Sequence, residues 1–186
     1  NEMNRTHRRL ILESLKKEFL EIEISQDLNK IDDFWEIYNE LSQRKNFIPY
    51  SYELIKKEFE IFAKENKAKL YFGKVDDKYY ASALVIFSRQ TAFYHHGASL
   101  LIKEPLNYKL HWRIILDARA SGCKYYNMWG ITLSANINHP WYGLTQFKKG
   151  FGGEIIKFLP SMDYKFSWQY FLTYIYEKLR RLKKRL

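Results

Sequence analysis

The stretch from His139 to Gly153 reads His-Pro-Trp-Tyr-Gly-Leu-Thr-Gln-Phe-Lys-Lys-Gly-Phe-Gly-Gly, and it is the most informative part of the chain. Four aromatic residues, two adjacent lysines and four glycines share fifteen positions. Glycine lets a backbone come close to a ligand, and lysine supplies positive charge. The mixture predicts a turn-rich loop that contacts an anionic, partly apolar ligand. A tight turn that caps a sheet, with exposed lysines, is the alternative.

Five separated segments of the chain carry a family resemblance. They are Phe47-Ile48-Pro49, Tyr94–Ser99, Gly122–Ile131 and, within the stretch above, His-Pro-Trp-x-Gly and Phe-Lys-x-Gly-Phe-Gly-Gly. In order and spacing they resemble the FemABX family of bacterial peptidoglycan aminoacyltransferases. The resemblance covers nearly the whole chain, but only the second of the family's two GNAT-type domains. It implies one GNAT-like domain over residues 1–186, with a mixed α/β sheet (α+β) and a basic helix, residues 1–19, that joins it to a first domain missing here.

The resemblance also implies an activity. A family member moves an amino acid from aminoacyl-tRNA to the stem-peptide amine of a lipid-linked or nucleotide-linked peptidoglycan precursor, and so builds the interpeptide bridge of the cell wall. This chain would be one half of such an enzyme, inactive without the N-terminal domain. Two alternatives stay open: a non-catalytic tRNA- or membrane-binding module of the same fold, and a GNAT-like N-acyltransferase with a different acyl donor.

The site residues follow from the resemblance. The family's functional lysine comes directly after the phenylalanine, which assigns the catalytic role to Lys148. An ammonium there stabilises a phosphate, or the oxyanion that forms when an amine attacks an ester. Phe147 stacks on the terminal adenine or its ribose, or packs in the core. Trp141 and Tyr142 line the groove to the lysine or plug the base of the loop, and Lys149 is a solvent-exposed substrate contact.

Two positions depart from the family pattern, and a third region bears on the acyl donor. Asn127 stands where the family carries an acidic residue, and His7 lies near a position usually held by arginine. The segment after the third central strand has no glycine beyond Gly97, and Pro105 lacks an N–H. A pyrophosphate loop needs exposed backbone N–H groups, so we expect no coenzyme A and no other cofactor.

The histidines and the cysteine give no metal or nucleophile signal. His95 and His96 are adjacent in a predicted strand, where alternate side chains face opposite sides, so we expect that they do not share one site. The five histidines and one cysteine show no metal-ligand spacing, and no metal is predicted. The single Cys123 excludes an internal disulfide and fits a reducing compartment, with a structural role.

The net charge of +10 is unevenly distributed. Residues 20–66 carry six basic and eleven acidic side chains, whereas residues 144–186 carry ten basic and three acidic ones. The basic part favours a polyanionic partner: RNA, a phospholipid surface or a pyrophosphate-bearing substrate. A solvated basic face is the alternative.

Hydrophobic periodicity and capping residues give the element order. It predicts helices over residues 4–19, 25–44, 51–64, 106–120 and 167–186, and strands over residues 20–24, 68–75, 79–89, 91–98, 125–128 and 154–159. The basic C-terminal helix packs its apolar stripe on the domain or adsorbs to an anionic membrane. No secretory signal or membrane span is visible, so we expect a cytoplasmic protein, with peripheral contact at the inner face of the membrane as a second expectation.

Overall fold

The computed structural model describes residues 2–159, 162, 164 and 166–184 of the chain. Its α-helices are α1 (Arg5–Lys16), α2 (Ile31–Lys45), α3 (Tyr52–Lys64), α4 (Leu106–Ala120), α5 (Tyr142–Gly150) and α6 (Tyr170–Lys184). Its strands are β1 (Leu20–Ser25), β2 (Ala68–Val75), β3 (Lys78–Ser88), β4 (Thr91–Ser99) and β5 (Tyr125–Asn127), and a 3₁₀ turn, Leu28–Lys30, precedes α2. Asn1, Arg185 and Leu186, which the sequence assigns to the first and last helices, lie outside the described residues.

The strands form one sheet in the order β1-β2-β3-β4-β5. The first four are antiparallel neighbours, and β5 pairs in parallel with β4. Asp76 and Asp77 join β2 to β3 with φ angles of 48° and 63°, a left-handed pair that suits a two-residue hairpin. The predicted mixed α/β sheet is therefore confirmed.

Helices cover both faces of this sheet. Along β2, Leu70 and Phe72 face a core formed with α2 and α3, whereas Tyr71 faces a core formed with α4. All three side chains are fully buried, as expected for a strand whose two faces are both covered by helices. Ser51 caps α3 by accepting a hydrogen bond from the Leu54 N–H, as the sequence predicts.

A β-bulge interrupts the pairing of β3 with β4. Leu84 pairs with His96, but the next residue, Val85, pairs with Tyr94. His95 is the extra residue on β4, so the strict alternation of side chains fails at this point.

The structure differs from the sequence-based prediction at residues 139–153. The predicted turn-rich loop contains a helix, α5, although Gly143 and Gly150 both disfavour one. Phe147 and Phe151 lie one helical turn apart and pack on α4, against Tyr108 and His111, and this packing outweighs the glycine cost.

Two further elements differ from the prediction. Residues 154–159 form no regular structure, and Phe158 and Leu159 are largely exposed. An apolar run predicts a strand only where a neighbouring strand can cover it, so the predicted strand over 154–159 is wrong. In α6, Leu172, Ile175 and Leu179 are more than half exposed, so the stripe is not packed on the described part of the domain. The basic side chains expected at residues 180–185 lie outside the described part.

No helix in the described ranges combines the length and the apolar character needed to cross a membrane.

Candidate functional site

Helix α1 and its N-cap residue form hydrogen bonds with α5. The His7 side chain is buried, and its Nε2 donates to the Phe147 carbonyl oxygen at 2.9 Å. The Asn4 N–H donates to the Gly150 carbonyl oxygen at 3.0 Å. A Cβ on Gly150 would lie 2.0 Å from Cε1 of His7, so only glycine allows this approach.

Two glycines of the motif are required by contacts within the chain itself. Gly150 makes room for the His7 ring, and Gly152, at φ +81°, lies against the backbone of Glu2 and Met3. Both close approaches are made to the chain's own N-terminal segment. Gly143 and Gly153 have open space at the Cβ position.

The Phe147 ring lies in an aromatic cluster beneath α5. Its centroid is 5.3 Å from that of Tyr108, 5.2 Å from that of His111 and 5.3 Å from that of Phe151. These contacts favour the packing alternative for Phe147, while stacking on a base stays a prediction. His111 is buried, and its Nδ1 is hydrogen-bonded to the Tyr126 hydroxyl at 2.9 Å. Burial, with a smaller effect of the Lys148 charge, lowers the pKa of His111 to about 3, so the imidazole is neutral at pH 7.

Lys148 is a half-buried cation. Its Nζ donates to the Gly130 carbonyl oxygen at 2.9 Å, and burial lowers its pKa to about 8. Within the described ranges, no carboxylate forms an ion pair with this ammonium. A partly desolvated ammonium without a counter-ion attracts an anionic group, and this is the strongest functional signal in the structure.

Side-chain caps hold the loop between β5 and α5. Asn127 Oδ1 accepts from the Trp129 N–H at 2.8 Å, which supports the left-handed backbone of Trp129 at φ 60°. An amide oxygen meets this need as a carboxylate would, so asparagine fits a position that is acidic in the family. The Thr132 N–H donates to Oγ1 of the buried Thr145 at 3.0 Å, which ties the loop to α5.

The other predicted site residues lie around this loop. Trp141 precedes α5 and is 45% exposed, and its Cζ3 lies 3.8 Å from the position of a Cβ on Gly130. Trp141 and Lys148 therefore both border Gly130. Tyr142 is half-buried at the first position of α5, and Lys149 is exposed, as the sequence predicts. Their contacts with a substrate stay predictions.

The segment before α4 carries a proline and an ion-paired carboxylate. Pro105 is the N-cap residue of α4, and the preceding Glu104 forms an ion pair with Lys17 at 2.6 Å. Because the Lys17 ammonium offsets the Glu104 charge, the expectation that this segment binds no pyrophosphate stays a prediction.

The expectation that His95 and His96 cannot share one site is wrong. The bulge on β4 brings both rings together, with centroids 4.3 Å apart, and both Nε2 atoms donate to Oε2 of Glu58. Strand alternation and local ligand spacing give no metal signal in this sequence. Neither pattern includes Glu58, which lies 37 residues before His95 in the chain. The sequence signal that points to this group of three side chains is an acidic residue on a predicted neighbouring helix.

Comparisons with known proteins place this arrangement in context. The sequence profile of the FemAB family matches residues 81–178, just over half of the chain. No curated protein sequence matches the chain. The crystal structure of FemX superposes with a TM-score of 0.74 at 17% identity, over 82% of this chain and 54% of FemX. This chain thus spans about half the length of FemX.

Two acetyltransferases share the same fold. An aminoglycoside acetyltransferase from an uncultured soil metagenomic sample, in complex with sisomicin, has a TM-score of 0.55 at 14% identity, over 78% of this chain and 97% of its own. A ribosomal-protein-alanine N-acetyltransferase from Brucella melitensis biovar Abortus 2308 has a TM-score of 0.52 at 8% identity, over 77% and 99% of the two chains. The domain therefore has a GNAT-like acyltransferase fold, which confirms the fold class predicted from the sequence.

Proposed function

This chain belongs to the FemAB family, and from that premise we propose that it is one half of a peptidoglycan aminoacyltransferase. The donor is an aminoacyl-tRNA and the acceptor is the stem-peptide amine of a peptidoglycan precursor. The observation that carries the proposal is Lys148, an ammonium half-buried beside the Gly130 carbonyl and unpaired with any carboxylate of the described residues.

The reaction needs orientation and charge stabilisation more than a strong base. The amine nitrogen attacks the ester carbonyl carbon of the aminoacyl-tRNA, and a C–N bond forms as the carbonyl oxygen becomes an oxyanion. Collapse of this intermediate breaks the ester C–O bond, and the proton lost by the amine passes to the departing ribose oxygen. Because the ester is already activated, the enzyme gains most by positioning the amine and stabilising the negative oxygen.

Lys148 meets the electrostatic requirement. With a pKa of about 8, it is mostly protonated at pH 7. Partial burial strengthens its interaction with an oxyanion or with the terminal phosphate of the tRNA, because the surrounding dielectric is low. The neighbouring His111 is neutral at pH 7, so it adds no second positive charge beside Lys148.

The surrounding side chains extend the same site. The Trp141 ring, half-exposed beside Gly130, offers a stacking surface for a base or a sugar. Lys149 supplies an exposed charge for the tRNA backbone, and Tyr142 lies between them in sequence at the start of α5. Phe147 supports Lys148 from the aromatic cluster. FemX is nearly twice as long as the matched region, so we assign the remaining precursor contacts to a domain outside these residues.

The test is transfer of a radiolabelled amino acid from charged tRNA to a peptidoglycan precursor. It is run with the 186-residue chain and with a form that contains the upstream domain. In the active form, we expect Lys148→Met to lower kcat by about 100-fold or more, the usual loss for an oxyanion donor. Lys149→Met is the matched control and should retain most of the turnover.

Two results would contradict the proposal. One is full transfer by Lys148→Met, which would exclude a catalytic role for this lysine. The other is tRNA binding that weakens steeply with salt in both forms, with no transfer in either, which favours the non-catalytic binding module instead.

A further inference from the structure

A second group of functional side chains lies on the sheet, apart from Lys148. The bulge on β4 places His95 and His96 on one side, and Glu58 reaches them from α3. Oε2 of Glu58 lies 3.2 Å from Nε2 of His95 and 2.9 Å from Nε2 of His96. The three ligand atoms are within 4.8 Å of one another.

We propose that Glu58, His95 and His96 bind one divalent metal ion of the zinc class. Two imidazole nitrogens and one carboxylate oxygen form a common three-ligand set for zinc, in which the fourth position remains open to water or a substrate. The proposal concerns the metal alone and does not depend on the aminoacyl transfer reaction.

The distances suit an ion of this size. Ligand atoms at zinc bond lengths of about 2.0–2.2 Å lie about 3.4 Å apart in a tetrahedral arrangement. The two observed separations from Glu58 are slightly shorter than that, so the site opens by a few tenths of an ångström when the ion enters. On binding, each neutral ring carries its proton on Nδ1, so that Nε2 presents its lone pair to the metal.

The surroundings hold the ligands in place and leave one side open. The His96 side chain is 8% exposed, and its ring centroid lies 5.3 Å from that of Tyr50 and 6.2 Å from that of Tyr38. His95 and Glu58 are 22% and 29% exposed, which gives an ion a route in. Aromatic walls restrict the rotamers of metal ligands and lower the local dielectric, and both effects favour binding.

A β-bulge at this position is itself informative. Bulges leave a residue unpaired in the ladder and re-aim side chains, and they are common beside functional sites. Without the extra residue, strand alternation would send the His95 and His96 side chains to opposite faces. The bulge therefore creates the three-ligand arrangement at the expense of one ladder pairing.

The alternative is a purely hydrogen-bonded cluster, in which both imidazole N–H groups donate to the Glu58 carboxylate. Such a cluster needs no ion and predicts no stoichiometric metal binding. The two possibilities differ in a direct measurement.

The experiment is isothermal titration of the tag-free, metal-stripped 186-residue chain with Zn²⁺, followed by Co²⁺ substitution. We expect one ion per chain, and visible Co²⁺ bands of the intensity typical of four-coordination. Each of Glu58→Gln, His95→Gln and His96→Gln should weaken Zn²⁺ binding by about 100-fold or more, since even outer-shell partners cost 10–100-fold. Glu60→Gln, on the same helix, and His139→Gln are matched controls that should bind as the parent chain does.

The outcomes are decisive in either direction. Glu58→Gln keeps an oxygen that accepts from both rings, so it tests the metal even where a histidine variant fails to fold. The proposal is overturned if the folded parent chain binds no stoichiometric Zn²⁺. It is equally overturned if Glu58→Gln binds as tightly as Glu60→Gln, because the ion would then lie elsewhere.

Discussion

The pKa of Lys148 is the most direct test of the site. Partial burial lowers this pKa to about 8, and no carboxylate among the described residues offsets the burial. If the ammonium lies where the structure places it, its titration midpoint is well below that of an ordinary lysine. Substitution at position 148 removes this titration, and substitution of the exposed Lys149 does not.

The expected size of the effect is large. At pH 8, a lysine with a pKa of about 8 is about half neutral, whereas a lysine with the reference pKa of 10.4 is about 0.4% neutral. Turnover that requires the Lys148 ammonium should therefore fall above about pH 8. Lys148→Arg keeps its charge at all accessible pH values. Its turnover should be lower, because the guanidinium has a different shape, but the alkaline fall should disappear.

The assay is NMR titration of a chain labelled with ¹³C at the lysine ε-carbons, from pH 6 to pH 11. The signal that is lost in Lys148→Arg belongs to Lys148, and the signal lost in Lys149→Arg identifies its neighbour. We expect a midpoint near 8 for the first signal. A midpoint near 10.4 for Lys148 in a folded chain would refute the reasoning, because it would mean that the ammonium is fully solvated.

Four further predictions follow from named contacts. Gly150→Ala places a Cβ against the His7 ring and should lower the unfolding free energy by about 1–3 kcal/mol in thermal or urea unfolding. Gly143→Ala, in the same helix but with open space, is its control and should be neutral or stabilising by about 0.5–1 kcal/mol; equal losses would contradict the packing argument. Asn127→Asp should keep the turn that supports Trp129, whereas Asn127→Ala should cost about 1 kcal/mol, and a destabilised Asn127→Asp would argue against the shared role of the side-chain oxygen. Thr145→Val leaves the Thr132 N–H without its acceptor and should cost about 1–3 kcal/mol, with Thr145→Ser as the variant that restores stability. The pKa of Lys148 is lower in the folded chain than in the unfolded chain, so the native state binds fewer protons between about pH 8 and pH 10.4. The melting temperature of the parent chain should therefore rise relative to that of Lys148→Met as the pH rises from 7 to 9.5. A difference in melting temperature that does not change with pH would contradict this expectation.

The sequence predicts the central part of the fold well and the region around the motif poorly. Strand β2 and helix α4 have the predicted bounds, because their apolar periodicity and their flanking turn residues agree. The glycines of residues 139–153 indicate a loop, whereas the spacing of Leu144, Phe147 and Phe151 indicates the helix that the structure has there. The helical conformation depends on packing against α1 and α4, which no local pattern in the sequence displays.

The sequence predicts only those residues of the candidate site that belong to a recognisable motif. The resemblance assigns the functional role to Lys148 from one short segment, and this role stays a prediction. The Gly130 carbonyl, which accepts from the Lys148 ammonium, belongs to the backbone, so no side-chain pattern in the sequence reveals it. Strand alternation predicts opposite directions for His95 and His96, but a one-residue bulge reverses the side-chain direction on one part of β4. Glu58 joins them only through the packing of α3 on the sheet.

The position of Lys148 depends on contacts made by residues 2–7 at the N-terminal end of the chain. His7 and Asn4 bind the carbonyl groups on either side of Lys148 in the chain, those of Phe147 and Gly150. Glu2 and Met3 lie against Gly152, just beyond α5. A shift of α1 relative to α4 would therefore move α5, and with it the ammonium relative to the Gly130 carbonyl. Since charge stabilisation in catalysis is sensitive to displacements of about 1 Å, we expect loss of the contacts between the N-terminal segment and α5 to lower the proposed activity even where Lys148 is intact.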